Sequence, residues 1–240
     1  MKSLIAGLIG ISILFLGMMT NTQGKSNKID KLFSALTWYG HAAFKIKTDK
    51  VIYIDPWRLP KSAGKADLIL ITHSHFDHLS VEDIRQIKKE DTIIITTPDG
   101  TSKLMGDVRE ISPGQELEVS GIKIKAVPAY NVDKEFHPKR NEWVGYIIIL
   151  EEGGIYHTGD TDFIPEMKEL GPIDIALLPV GGKYTMNPEQ AAQAANVIKP
   201  EIAIPMHYGA GVVGTEQDAQ KFKQLLSSKV EVRILTPSKK

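Results

Sequence analysis

The sequence predicts an α/β layered domain in which helices cover sheets, and three observations carry that expectation. Strand-like runs crowd the first part of the chain, strands and helix-like segments alternate afterwards, and "DLILIT" (67–72) is a continuous apolar run of the kind buried on both faces. With 240 residues there is enough chain for a proper core. From about Asn27 onward no low-complexity tract or long linker interrupts it, so residues 27–240 read as one domain.

The N-terminus is a separate object. Met1-Lys2 precedes a stretch without charge until Lys25, and its apolar heart runs from Leu4 to Met19. Residues 1–26 therefore read as a signal peptide, with Thr20 and Thr22 as a weak cleavage signal, or as an N-terminal membrane anchor. A lipoprotein is excluded because the required cysteine is missing. Both surviving readings place the globular part outside the cytoplasm, secreted or periplasmic in the first and held at the membrane in the second, because Lys2 keeps the start inside.

The strand-like runs "ALTWYG", "AAFKIKT" and "KVIYID" are short and bounded by Gly40 and Asp49-Lys50, which predicts a β-meander. After "DLILIT", Ser80 can cap a helix to about Lys88, with Asp83 in the third helical position and Val81, Ile84, Ile87 and Lys88 at helical spacing. Next come the strand "TIIITT", a short helix near Thr101–Met105, and strands at "VREI", "ELEV" and "IKIKAV". The strands "WVGYIIIL", "GGIYHTGD", "IDIALLPV", "EIAIPMH" and "VEVRIL" follow, interleaved with helices. One helix start is marked by Asn187 as cap, Pro188 in the first turn and Gln190 three residues after the cap; another helix runs from Thr215 to Leu226.

Charge and composition narrow the chemistry. Lys plus Arg equal Asp plus Glu at 29 each, so no global field draws the protein to nucleic acid, and a small-molecule substrate is the expected partner. Cysteine is absent, which removes disulfides, thiolate metal sites and a cysteine nucleophile, and leaves histidine and carboxylate as the strong metal ligands.

Three of the seven histidines stand in "HSHFDH" (73–78), directly behind "LILIT". In an extended segment residues i and i+2 point the same way, so His73 and His75 converge just past the strand end. Asp77 and His78 reach a nearby point as the chain turns towards the Ser80 cap. Imidazole nitrogen and carboxylate oxygen bind zinc at about 2.0 to 2.2 Å, and four such groups in six residues form a metal-site signature. Distant segments offer matching groups at other strand exits: Asp160 in "YHTGDTD", His207 in "IAIPMHYG", and Asn131 and His137 in "VPAYNVDKEFHPKR".

HxHxDH followed by TGD and a late MHYG resembles the metallo-β-lactamase superfamily, and the likeness covers residues 35–236. The resemblance implies a four-layered αβ/βα sandwich with two divalent metal ions, zinc first and manganese or iron(II) as alternatives, at one sheet edge. "WYGHAAFKI", "IDP", "GDTDFIPEM" and "LLPVGG" are similar to the branch holding ascorbate-6-phosphate lactonase-like and N-acylphosphatidylethanolamine phospholipase D-like proteins. It further implies His73 and His75 on the first metal, Asp77, His78 and His207 on the second, and Asp160 bridging. Many relatives place the first metal's third histidine where this chain has Asn131. An amide is a poor zinc ligand, so His137 takes that role here, the other reading being a site without it.

The implied activity is hydrolysis of an ester, lactone, phosphodiester or amide by a metal-activated hydroxide, with Asp77 both ligating and orienting it. No GxSxG nucleophile motif is present. Candidates for substrate contact are His41, Lys183, Tyr184 and Tyr208; His41 serves equally as a structural hydrogen-bonder and Tyr208 as packing. His157 reads as a supporting or packing residue, Asp55 as a turn former under the metal loop, and Lys134, Lys139 and Arg140 as a solvated basic loop. The competing readings are a nuclease of the same fold, redox chemistry at a di-iron site, and a non-catalytic metal-binding or carbohydrate-binding module. Balanced charge and compact length disfavour the first, and the lack of a flavin or iron–sulfur partner domain disfavours the second.

Overall fold

A computed structural model describes residues 24–226 and 230–238. The leader or anchor reading of the N-terminus lies, as far as residue 23, outside the described residues. Among these, no helix is long and apolar enough to cross a membrane.

The described residues open with a helix the sequence did not announce, α1 (24–34), which buries Ile29 and Leu32 in the main core. Strands β1 (Leu36–Gly40), β2 (Ala43–Lys47) and β3 (Val51–Ile54) then form the expected meander, and β4 (Leu68–Leu70), β5 (Ile93–Thr96) and β6 (Asp107–Glu110) add in parallel to complete a six-stranded sheet. The second half repeats that plan. Strands β7 (Glu116–Val119), β8 (Ile122–Pro128), β9 (Val144–Ile149) and β10 (Gly154–His157) are antiparallel, and β11 (Ile175–Pro179), β12 (Ile202–Met206) and β13 (Glu231–Val232) continue in parallel as a seven-stranded sheet.

Period-two alternation sorts the first sheet's residues into two cores. Ile52, Ile54, Leu68, Leu70 and Ile95 face the main core shared with the second sheet, whereas Tyr53, Ile69, Ile71 and Ile94 face a smaller core under α2 (Val81–Ile87), which adds Ile84 and Ile87. This two-sided burial explains why "DLILIT" is apolar without interruption. Helices α4 (Pro188–Ile198) and α5 (Glu216–Leu226) cover the outer face of the second sheet, through Ala191, Ala195, Ala219 and Phe222 among others. The order helix, sheet, sheet, helix is the four-layered sandwich that the resemblance implied.

Local signals behaved as the chemistry requires. Ser80 accepts from the Asp83 N–H at the start of α2. Asn187 and Gln190 close a reciprocal capping box, and Lys199 ends α4 in the left-handed conformation. Asn187→Ala is expected to lower stability by about 1 kcal/mol, read as a shift of the urea midpoint at unchanged slope; an unmoved midpoint would show that tertiary packing alone holds the helix. One local expectation is corrected. The short helix near Thr101–Met105 is instead α3 (Pro98–Thr101), because Pro98 with its fixed φ occupies the first turn behind Thr97.

Strands β3, β4, β10 and β12 all deliver their C-terminal ends to the same edge of the sandwich, where open α/β folds place ligands.

Candidate metal centre

Six of the seven histidines meet at that edge, in overlapping groups whose ligand atoms lie within 4.8 Å of one another. One group is His73, His75 and His137; a second is His41, Asp77, His78 and His207; a third is His73, His78 and Asp160. Except for partly exposed His75, all of these side chains are buried. Asp160 ties the groups together: its Oδ2 lies 3.3 Å from His137 Nε2, 3.4 Å from His78 Nε2 and 3.0 Å from His207 Nε2.

Several of these side chains are aimed from outside the cluster. Thr72 Oγ1 donates to Asp55 Oδ2, which leaves its oxygen to accept from His73 Nδ1 at 3.0 Å and turns the bare Nε2 inward. His73 Nε2 faces His75 Nδ1 at 3.0 Å. Asp55 also accepts from the Thr72 N–H at 2.8 Å and from His78 Nδ1 at 2.7 Å, so it fixes the tautomer of His78. It is a support under the metal loop and not a member of the ligand groups, as expected. His157 bonds the Ala42 carbonyl through Nε2 and accepts from Gly159 N–H through Nδ1, stiffening the turn before Asp160. Gly159 is required there: φ is +63°, and a Cβ would stand 2.6 Å from the Val144 carbonyl oxygen.

His137 stands where the sequence reading put it, beside His73 and His75. Asn131 turns out to hold it. The Asn131 amide oxygen accepts from the His137 backbone N–H at 3.0 Å and lies 3.1 Å from Nδ1, while its amide nitrogen donates to the Tyr184 carbonyl. That same carbonyl is 3.1 Å from His137 Nδ1, so Nδ1 meets two acceptors and must carry the proton; Nε2 is left free to ligate. Trp143 closes the back of this group, its ring 4.8 Å from His73 and 4.7 Å from His75, and Asp99 anchors the indole N–H at 2.9 Å.

His41 is the residue the sequence undervalued. It is fully buried, stacks 3.8 Å from His207, and places Nε2 3.1 Å from Asp77 Oδ2. The other substrate-contact candidates divide. Tyr184 and Lys183 stand at the rim, Lys183 Nζ 4.9 Å over the Tyr184 ring. Tyr208 does not: it is buried against Trp38 and lines a groove of about 720 Å³ to which none of the ligand residues contributes. In the basic loop, exposed Lys139 pairs with Glu166, in keeping with a surface role, whereas Lys134 is corrected: it is partly buried, paired with the buried Asp162 and donating to the Thr185 carbonyl.

The electrostatics ask for positive charge. Burial pushes the Asp160 carboxyl up, but the neighbouring imidazoles of His207, His78 and His137 outweigh it and hold the group well below the carboxylate range. Burial also works against a charged His78, and Asp160 and Asp55 overrule it, raising its pKa well above the usual value. His73 goes the opposite way, kept neutral by burial and by its charged neighbour His78. Several buried atoms here have no hydrogen-bond partner in the protein: His41 Nδ1, His78 Nε2, His137 Nε2, Asp160 Oδ1 and both ring nitrogens of His207. Unsatisfied imidazole and carboxylate atoms that converge in a buried space are costly when left to themselves and suited to a cation, so the residues fit a divalent metal. Strain gathers here as well. His41, Asp55, Arg58 and His207 adopt left-handed backbone at φ 53°, 46°, 53° and 62°.

A two-sheet sandwich with a histidine–aspartate centre at its strand exits defines a metallo-β-lactamase fold. The sequence model of the beta-lactamase superfamily domain matches residues 35–207, and the chain belongs to that superfamily. The UPF0173 metal-dependent hydrolase of Methanopyrus kandleri is 37% identical over 224 residues, covering 84% of this chain and 96% of that protein. The solved structure of Igni18, a metallo hydrolase from Ignicoccus hospitalis, superposes with a TM-score of 0.70 at 31% identity, covering 85% of this chain and 95% of that one. A Parabacteroides distasonis protein described as a metal-dependent hydrolase superposes at 0.75 with 37% identity, covering 83% of this chain and 91% of that one.

Proposed function

We propose that this metal-dependent hydrolase works with two divalent cations, zinc first among them, to cleave an ester, lactone, phosphodiester or amide bond in a small molecule. The observation that carries the reading is Asp160 Oδ2, within 3.4 Å of His137 from one group and of His78 and His207 from the other, so that two ligand pockets share one carboxylate. His73, His75, His137, Asp77, His78, His207 and Asp160 would hold the cations, whose chemistry when bound would be Lewis acidity: a lowered pKa for water and a polarised carbonyl or phosphoryl oxygen.

The chain's own residues do the positioning. Burial pushes the Asp77 carboxyl up, but the hydrogen bond from His41 and the charge of His78 bring it down to about 2. Asp77 is therefore an ionised acceptor across neutral pH, a group that orients the attacking water through a hydrogen bond and not one that stores its proton. His41 in turn fixes Asp77.

Metal analysis of the dialysed protein tests the reading, with two divalent ions per chain expected. Chelation should abolish turnover on a panel of lactone, phosphodiester and amide substrates, and re-addition should restore it. A chain that arrives without divalent ions and takes up none offered in excess would overturn the proposal.

A further inference from the structure

Six large apolar side chains are exposed among the described residues, and three of them, Phe76, Val132 and Phe136, are immediate chain neighbours of residues in or holding the metal cluster. Phe76 stands between His75 and Asp77 and is 70% exposed; Phe136 precedes His137 and is 47% exposed. Singly exposed apolar residues are ordinary, but aromatic side chains in the loops that carry a buried polar cluster are placed to meet the apolar part of a ligand.

Both phenylalanines belong to the same small construction. Phe76 meets Trp57 edge-on at 6.1 Å, and the Arg58 guanidinium lies 4.1 Å over the Trp57 ring. Phe136 meets Tyr184 edge-on at 4.6 Å, and the Lys183 ammonium lies 4.9 Å over the Tyr184 ring. Each trio is tied to one ligand group: Trp57 packs edge-on against His41 at 5.2 Å, and the Tyr184 carbonyl is 3.1 Å from His137 Nδ1. Arg58 hydrogen-bonds the Ala210 carbonyl, and neither cation has a carboxylate partner among the described residues. Lys134 and Lys139, by contrast, are neutralised by Asp162 and Glu166.

We propose that the centre acts on an amphiphilic anion, a molecule with an alkyl or aryl arm seated on Phe76 or Phe136 and a negative group, separate from the bond cleaved, held by Arg58 or Lys183. The inference rests on the hydrolytic reading of the centre and deepens it. Burial of each methylene on an aromatic surface is favourable, which yields preference by chain length; an unpaired cation beside the ring yields preference by charge.

Binding is the test, because it needs no turnover. Metal-loaded protein is titrated with methanesulfonate, hexanesulfonate and hexanol, with the fluorescence of Trp57 and Trp143 as the signal; sulfonates are weak metal ligands, so the anion is read by the rim. Hexanesulfonate should bind about tenfold more tightly than methanesulfonate, the equivalent of roughly two of its five further methylenes buried on an open ring face, and about fivefold more tightly than hexanol. Phe76→Ser with Phe136→Ser should erase the first preference, and Arg58→Gln with Lys183→Gln the second, at unchanged metal content. Equal binding of the two sulfonates, or a chain-length preference that survives the double serine variant, overturns the proposal. Co-sedimentation with anionic phospholipid vesicles without binding of free hexanesulfonate also overturns it and assigns the rim to a membrane surface. Hexanesulfonate binding as expected, with no hydrolysis of any substrate, would sink the hydrolytic reading alone; rapid turnover of short neutral substrates with no binding preference would sink this inference alone.

Discussion

Asp77→Ala lowers turnover of any substrate by a factor of about 10² or more, in line with the loss of other fixed electrostatic groups in active sites, while the protein stays folded. The side chain is 8% exposed and its carboxylate is engaged by His41 at 3.1 Å, so the variant loses the charge that orients the reacting water and releases His41 from its partner. Steady-state kinetics with metal content and a urea melt measured in parallel check this; unchanged turnover removes Asp77 from the mechanism. The sign of the pH dependence follows from the same contacts. A carboxyl lowered from 3.8 to about 2 adds stability that is complete above its unfolded pKa and is lost as pH falls towards 2, so this part of acid unfolding should vanish in the variant.

Asp55→Ala is expected to damage both stability and metal affinity. The residue has no exposed surface and accepts three hydrogen bonds, from Thr72 N–H, Thr72 Oγ1 and His78 Nδ1. Removing it strands a buried His78, and loss of one member of such a pair costs about 3–5 kcal/mol. Because Thr72 in turn orients His73, the change reaches ligands of both pockets, and metal affinity should drop by about 10- to 100-fold. Urea denaturation and competition with a chelator measure the two effects separately. A variant with native stability and native affinity would show that the cluster aims itself without this carboxylate.

Much of this architecture was legible because its causes are local. "DLILIT" is apolar throughout since α2 covers one face of β4 and the second sheet the other, and Asn187, Pro188 and Gln190 write a helix start in consecutive residues. The ligands at strand exits were readable for the same reason: a strand period, a polar group and a turn lie side by side. What escaped depends on distance along the chain. The partner of His41 is Asp77, 36 residues away, and Asn131 grips a carbonyl 53 residues away. Asn131 looked like a missing ligand because its role appears only once the Tyr184 loop folds over it. Helix α1 was hidden because residues 1–26 read as a leader, although Ile29 and Leu32 at helical spacing were a visible signal.

The four left-handed residues at the centre carry a consequence for anyone who tries to make this protein hardier. A side chain in that conformation costs roughly 1–2 kcal/mol relative to glycine, less for the short polar types that tolerate it. Glycine at position 58 would relieve the backbone and discard a guanidinium; at 41 or 207 it would relieve the backbone and empty the cluster, whereas at 55 the relief is smaller than the loss of the buried carboxylate's hydrogen bonds. Searches for thermal robustness will therefore be drawn to these turns and will find variants that melt later and catalyse nothing, so selection by heat alone works against this enzyme's chemistry.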